Sequence, residues 1–483
     1  MKNFKFNAIT ALIIGVNVAV ANATDGNILN ITTQDAVNAS KTIEATNVKG
    51  PGHTAIGQQN QIYSIPAAEA EESQGSSSAI GNQNVVKGEQ ANAIGDGNDA
   101  YGHFTQSVGD DNKVYADHSL GYGAHNKVGA QRVIGTPEKD VVVDKNTSKA
   151  SVFGLNNVVL GKEVLALGNN NNVNGENSTA IGTQSTADGI NTLAIGTGAK
   201  AHVTNPAAAN SNKPGNLVAI GTSAEATAAE TVAIGQAAKA SGQNSNAYGS
   251  QANASGTSSL AVGTGSVASG DSAVAIGNDS TVTGGSAVAI GASATSTGKW
   301  STALGDSANA KGEKSVALSK DSYAKDDNSV ALGSGTITRS ATNVTTATVN
   351  GITYSGFAGN SNNIAVVSVG SDKTETYTPP DHSTPGRTVT ITPHTRQIIN
   401  VSAGEISATS TDAINGSQLY MVADQVGKNK ARIDNIRVRT SDVKVKAGDN
   451  INVQEAYDDA NQVKTYTVST AKDIKADSYT VNN

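Results

Sequence analysis

The sequence predicts a parallel β-solenoid, a stack of short coils that each hold two strands and two turns. Three observations predict it. The triplet Ala-Ile-Gly, or a near relative, recurs nineteen times between Gly57 and Gly333, mostly at steps of fourteen residues. A second glycine follows seven residues later in many units, as Gly189 after Gly182, Gly242 after Gly235 and Gly256 after Gly249. The composition, with 51 glycines among 483 residues and only 4% aromatics, suits a thin stack of small side chains and not a thick interior.

Each half-unit reads as a short alternating run, such as Ser272-Ala273-Val274-Ala275-Ile276, followed by a glycine free to take positive φ and reverse the chain. Strands of three or four residues bury no face alone. Successive units must therefore stack in register, with Val, Ile and Leu forming an apolar ladder along the axis. Nineteen coils at ~4.8 Å per stacked strand make a rod of roughly 90 Å. From Gly221 the register runs unbroken through Gly235, Gly249, Gly263, Gly277, Gly291, Gly305 and Ser319 to Gly333. Extra residues enter between Gly57 and Gly81, between Gly135 and Gly154, and between Gly196 and Gly221, where loops are expected to bulge from the stack. A single stack of such small side chains is marginal, so association of several chains along their length is expected.

Ahead of the repeat, residues 1–23 read as a secretory signal. Lys2 and Lys5 precede an apolar run from Ile9 to Val20, and Ala21-Asn22-Ala23 supplies a small-x-small cleavage site. The repeat region is expected to extend from residue 24 to 333. Beyond it the chain becomes rich in Thr, Val and Asn, and Pro379, Pro380, Pro385 and Pro393 mark loops or edge strands, giving an irregular β-rich insert over 334–394. Then come Asp412-Ala413-Ile414-Asn415-Gly416-Ser417-Gln418-Leu419 and a helical pattern. Leu419, Val422, Val426, Asn429, Ile433 and Ile436 are spaced three and four residues apart, the seam of a short coiled coil over 421–440. Asn429 in that seam costs stability while fixing register and strand number.

These motifs carry a family resemblance. Asn177-Ser178-Thr179-Ala180-Ile181-Gly182-Thr183-Gln184-Ser185 and Asn328-Ser329-Val330-Ala331-Leu332-Gly333 resemble the head repeat NSVAIGxxS of YadA-like trimeric autotransporter adhesins, and 395–420 resembles their neck, with Asp412 to Leu419 standing for DAVNGSQL. The resemblance implies an all-β fold, a left-handed parallel β-roll head that is trimeric, then neck and short trimeric coiled coil. It implies that Asn429 matches stalk core layers able to hold an anion on the three-fold axis, and that 441–483 begins another β-rich stalk module. The family continues into a long coiled coil and a four-stranded membrane anchor. The sequence to Asn483 contains neither, so a fragment or a truncated product is expected. Export by the signal peptide is expected in either case. With an anchor the location is the surface of a Gram-negative cell, and without one it is the periplasm or the medium.

Composition and motifs narrow the function. A formal charge of −7 without a strongly basic cluster removes the electrostatic footprint of nucleic-acid binding, and the absence of cysteine removes disulfides, thiolate metal sites and thiol nucleophiles. A secreted solenoid enzyme needs a focused acid/base or paired-carboxylate set, and none stands out. Gly95-Asp96-Gly97-Asn98-Asp99 looks like a calcium loop, but the nonapeptide period that would support it is absent. No metal or cofactor is expected. The resemblance implies adhesion to host extracellular matrix, such as collagen, fibronectin or laminin, or to host cells, through many weak sites. A plain structural spacer is the rival. Ile181 and Gly182 serve the coil whatever the ligand, so Asn177, Ser178 and Ser185, with Asn328 and Ser329 in the second match, are the contact candidates, expected to face outward. A second candidate face gathers Tyr101, His103, Phe104, Tyr115, His118, Tyr122 and His125 in an aromatic-poor chain.

Overall fold

The fourteen-residue period folds as a coil with two left-handed turns. The computed structural model describes residues 29–31, 47–48, 53–63, 77–132, 141–143, 146–203, 215–379, 387–441, 443–460, 463–473 and 477–478. The expected signal sequence, and most of the expected bulge between Gly196 and Gly221, lie outside them. Two compact units are present: Met1–Ala341 with Ala365–Arg396, and Thr342–Ile364 with Gln397–Asn483.

The first unit holds the solenoid. In the coil beginning at Asn177, the strand Thr179–Thr183 belongs to one parallel sheet and Thr186–Asp188 to the other. Asn177 and Gln184 open the two turns with φ of 55° and 60°. These positions recur along the stack, at Asn191, Ser223, Glu230 and Ala237 among others. Each strand pairs in parallel with its equivalent in the next coil, Ala180 with Ala194 and Ala187 with Ala201. The first sheet has 20 strands.

Glycine serves two purposes here. Gly182 has φ +139°, as the sequence suggests, but Gly242, a half-unit glycine, does not have positive φ. It is required because a Cβ there would lie 2.1 Å from the carbonyl oxygen of Gly256. Gly242 thus serves close stacking, whereas Gly189, also a half-unit glycine, has φ +146°, and the reversals are shared with the non-glycine residues at positive φ.

The interior is narrower than expected. Ala180, Ala233, Ala261 and Ala289 point inward and are fully buried, whereas the flanking Ile, Val and Leu point out of the first sheet. The apolar ladder of that sheet is therefore external and alanine fills its core. Larger residues enter mainly from the second sheet, as Val86, Val114, Val128, Val159 and Val173, with Val152 of the first sheet beside them.

Two coil types follow one another. Up to Asn171 a buried Asn stands three residues after the marker glycine, at Asn60, Asn84, Asn98, Asn112, Asn126, Asn157 and Asn171. The Nδ2 of Asn112 donates to Asn98 Oδ1 at 3.0 Å, to the Val108 carbonyl at 3.1 Å and to the Gly123 carbonyl of the next coil at 2.7 Å, and its Oδ1 accepts from Asn126 Nδ2 at 2.8 Å. The marker strands of these coils run five residues, as Gln106–Asp110 does. From Ala199 onward a small residue takes the place of Asn. The marker carbonyl is then satisfied inside its own turn, Ala199 N–H donating to Gly196 at 3.3 Å, and strands shorten to three residues, as in Leu193–Ile195.

Two expectations about the insertions change. Gly123 pairs directly with Gly154, so Gly135 marks no coil in the register, and Val133-Ile134-Gly135 lies outside the described residues. Within that insertion Ala130–Arg132 and Val141–Val143 form an antiparallel hairpin. The stack also continues past Gly333, because Val367–Ser368 adds a parallel strand beside Val330 and Ala331. The hairpin Glu375–Tyr377/Val389–Ile391 packs against the last coils, with Tyr377 donating to the Ser307 carbonyl and Lys325 paired to Glu375. Burial drives the Tyr377 hydroxyl pKa upward, and nearby Asp321 adds to the shift.

In the second unit Thr346–Val349 pairs antiparallel with Ile352–Ser355, and Ile451–Asp458 with Val463–Thr470. The helix Gly416–Ser441 lies between the two hairpins in sequence. It begins inside the segment assigned to the neck.

The Asn ladder gives a direct test. Asn112→Ala strips hydrogen-bond partners from buried groups in neighbouring coils and should cost about 2–3 kcal/mol. Ala252→Ser, at the equivalent place in the Asn-free coils, should cost under about 1 kcal/mol. Urea unfolding followed by far-UV circular dichroism separates the two, and equal effects would refute the ladder's role.

Candidate functional site

The repeat motif divides its residues differently from the sequence expectation. Asn177 and Asn328 are exposed, but both occupy left-handed turns, with φ of 55° and 57°. Asn tolerates that region better than most residues, which explains its place in the motif. The Asn177 amide donates to Asn191 Oδ1 at 3.2 Å, and Asn191 donates to Asn216 at the same distance. Ser178, Ser185 and Ser329 were expected to face outward and do not: they are 0%, 0% and 1% exposed. Ser178 Oγ donates to the Gly189 carbonyl at 2.7 Å and Ser185 Oγ to the Gly196 carbonyl at 3.0 Å, each reaching the next coil. A serine contracting two coils is unavailable to a ligand, so these three are corrected to structural positions.

The aromatic residues form stacks along the coil axis instead of one joined cluster. Tyr101 and Tyr115 meet edge-on at 4.7 Å, Phe104 stacks on His118 at 4.9 Å, and Tyr122 stacks on Phe153 at 5.6 Å. Burial and the neighbouring Asp99 push the Tyr101 hydroxyl up to about 12 and raise that of Tyr115, which donates to Asp99 Oδ2 at 3.0 Å. Lys113 joins this group at 3.3 Å from Asp99 and 2.9 Å from Asp111. Burial opposes both charges of the Lys113–Asp111 pair, but their hydrogen bond and mutual attraction win, raising the lysine and lowering the carboxyl. His103 receives no ligand set: its backbone N–H donates to Asp117 at 2.8 Å, while His125 faces Asp111 at 3.2 Å. Among the described residues no group of three or more His, Asp or Glu is arranged to hold a metal.

Two surfaces remain uncovered within single units. On the solenoid, the residue before each marker glycine forms an outward apolar column that includes Ile94, Phe153, Leu167, Tyr248, Ile290, Leu304 and Leu332, 37–47% exposed. On the helix, Leu419, Val422, Val426, Ile433 and Ile436 are 54–62% exposed. Asn429 lies in the same seam and accepts from Gln425 Nε2 at 3.0 Å. The pairs Lys428–Asp424 and Lys430–Asp434, both 2.7 Å, lie outside the seam sequence. Contiguous apolar surface of this kind marks contact with another surface.

The segment before the helix carries a structural device that spacing did not reveal. Asn415 caps the helix, its Oδ1 accepting from Ser417 N–H at 3.2 Å and Gln418 N–H at 3.3 Å. Gln418 Oε1 returns to the Asn415 N–H at 3.1 Å, completing a capping box. Its Nε2 donates to the Gly404 carbonyl at 2.7 Å, and Asn415 Nδ2 holds the Val401 carbonyl at 3.1 Å. The Asn-x-x-Gln spacing was the available signal.

At the end of the solenoid a hollow of about 400 Å³ is lined by Ile337, Arg339, Val367, Asp372, His394 and Arg396. Its most reactive-looking group is already committed: the Arg396 guanidinium donates to Thr336 at 2.9 Å and to the Val369 and Ser334 carbonyls at 2.5 Å each. The geometry therefore defines a repetitive scaffold that presents surfaces.

Comparison with known proteins agrees with that class. The YadA head domain repeat matches in nine stretches between residues 161 and 336, and the coiled stalk of trimeric autotransporter adhesin matches 397–442. Autotransporter adhesin BtaE of Brucella suis biovar 1 (strain 1330) is 39% identical over 141 residues, covering 28% of this chain and 16% of that protein. Trimeric autotransporter adhesin AtaA of Acinetobacter sp. (strain Tol 5) is 36% identical over 115 residues, covering 18% of this chain and 3% of its own length. Among solved structures, the C-terminal YadA-like domain of a Burkholderia pseudomallei protein overlaps with a TM-score of 0.23 and 32% identity, covering 32% of this chain and 60% of that one. The chain thus carries segments similar to the head repeats and the coiled stalk of YadA-like trimeric autotransporter adhesins, and it spans only 16% and 3% of the length of the two curated relatives, both named as adhesins.

Motif residues can be sorted by stability. Asn177→Gly keeps a residue at ease with positive φ and should leave the unfolding midpoint nearly unchanged. Ser178→Ala removes a buried hydrogen bond between coils and should cost about 1 kcal/mol. Thermal unfolding of the two variants beside the parent checks the assignment, and a silent Ser178→Ala would reverse it.

Proposed function

We propose that the chain is part of an exported homotrimeric surface adhesin whose head holds host extracellular matrix, such as collagen, fibronectin or laminin, or host cells. The observation that carries this reading is the pair of uncovered apolar surfaces, the outward column of the solenoid and the seam of the helix. Three copies placed column to column and seam to seam remove both from water. The trimer then presents every exposed coil feature three times, so contacts too weak singly become slow to release. Asn429 layers in such a bundle fix its register and offer three amides to an anion on the axis.

A spacer reading competes, because Ser178, Ser185 and Ser329 are spent on holding coils together. Under it the head only lifts other modules away from the cell.

Capture on immobilised collagen, fibronectin, laminin and host-cell monolayers separates the readings. The parent chain should be retained, and the double substitution Ile276→Lys, Ile290→Lys, which places charge in the outward column, should lower retention about tenfold or more by dispersing the trimer. Absence of retention on every surface would leave the spacer reading in possession.

A further inference from the structure

Trp300 is the single tryptophan of the chain, and it stands where the repeat has no use for one. Its backbone takes φ 58°, in the column of left-handed turns occupied elsewhere by Ser272, Ser286 and Asn328. A bulky residue in that region carries strain of about 1–3 kcal/mol, a burden that Phe104, with φ 56° in the same column, shares. Neither core packing nor turn chemistry recovers that cost, since the side chain is 45% exposed and serine forms the same turn one coil earlier.

The surroundings of the ring are equally specific. Lys299 Nζ lies 4.0 Å from its centroid and Lys314 Nζ, one coil on, 5.1 Å. Glu313 pairs with Lys314 at 3.0 Å, but both side chains are about half exposed, and such a pair is readily exchanged for another anion. On the other side, Gly285 accepts the Trp300 N–H at 3.0 Å. Gly285 needs neither positive φ nor close approach, since an added Cβ would meet nothing nearer than 3.9 Å. An added Cβ there would lie 3.9 Å from the Asp271 carbonyl oxygen and 4.0 Å from Lys299 Cγ, so the glycine leaves room beside the Lys299 stem.

We propose that Trp300, Lys299 and Lys314, beside Gly285, form a binding site for an acidic polysaccharide. The two ammonium groups that lie over the indole swing out to carboxylate or sulfate groups on the same or the next sugar, and the indole face they leave takes the C–H face of a pyranose ring. The proposal deepens the adhesive reading and rests on it, naming one ligand class for the head.

The test uses the full chain. Since Trp300 is the only tryptophan, indole emission excited beyond the absorption band of the twelve tyrosines reports on this site alone. Titration with heparin and with polygalacturonate, the latter carboxylated but unsulfated, should shift or quench emission, while neutral dextran should not. Response to heparin alone identifies sulfate as the recognised group, and response to polygalacturonate alone identifies carboxylate. Both outcomes support the site. Calorimetry on Trp300→Ser, which restores the residue of the preceding coil, and on Lys299→Gln with Lys314→Gln should show affinity lowered about tenfold or more. Binding without a change in emission, equal binding of dextran, undiminished affinity in Trp300→Ser, or no polysaccharide binding would each overturn the proposal. Retention on matrix proteins in the same preparations separates the two readings: if it persists, only the polysaccharide site falls.

Discussion

The close approach of backbone between successive coils governs everything else in the solenoid. A Cβ on Gly182 would sit 2.7 Å from the Gly196 carbonyl oxygen, and one on Gly242 only 2.1 Å from that of Gly256. Coils this closely stacked have cross-sections that admit alanine and little more, hence the buried column through Ala180, Ala233 and Ala289. Methyl groups contribute little burial each, so the stack relies on in-register backbone pairing and on side chains that bridge coils, the buried Asn ladder first and Ser178 and Ser185 where it ends.

The same narrowness turns the larger apolar residues outward. Strands of three residues around a central inward alanine leave Val232 and Ile234, or Val288 and Ile290, on the outer face. A chain that displays such a column along a sheet of 20 strands has an interior too small to use it. The helix repeats the condition independently, with Leu419, Val422, Val426, Ile433 and Ile436 all open in one chain. Surface of this extent is stabilised by association, and the proposed homotrimer is the assembly that satisfies both elements.

Much of the scaffold was legible because the constraint is periodic. Steep distance requirements at two positions per coil favour glycine there, and Ala-Ile-Gly at fourteen-residue steps exposes both the coil and its strand order. Orientation was harder. Thr179-Ala180-Ile181 alternates in either direction, and only the backbone spacing decides that the small residue faces in. The serines of the motif were misplaced for a related reason: a polar side chain suggests solvent, whereas Ser178 finds its acceptor on a neighbouring coil. Gly135 mimicked a marker through local sequence alone, and the pairing of Gly123 with Gly154 depends on residues far apart in the chain. Trp300 was visible as the single tryptophan, but its meaning depended on knowing that its position is a left-handed turn between two lysines.

If apolar columns too large for a single narrow coil hold the protein together only across chains, stability must depend on protein concentration. Light scattering combined with thermal unfolding of residues 24–440 over about a hundredfold range of concentration measures this directly. Three chains per particle, with an unfolding midpoint that rises with concentration, is the predicted result. A folded single chain with a constant midpoint would contradict it.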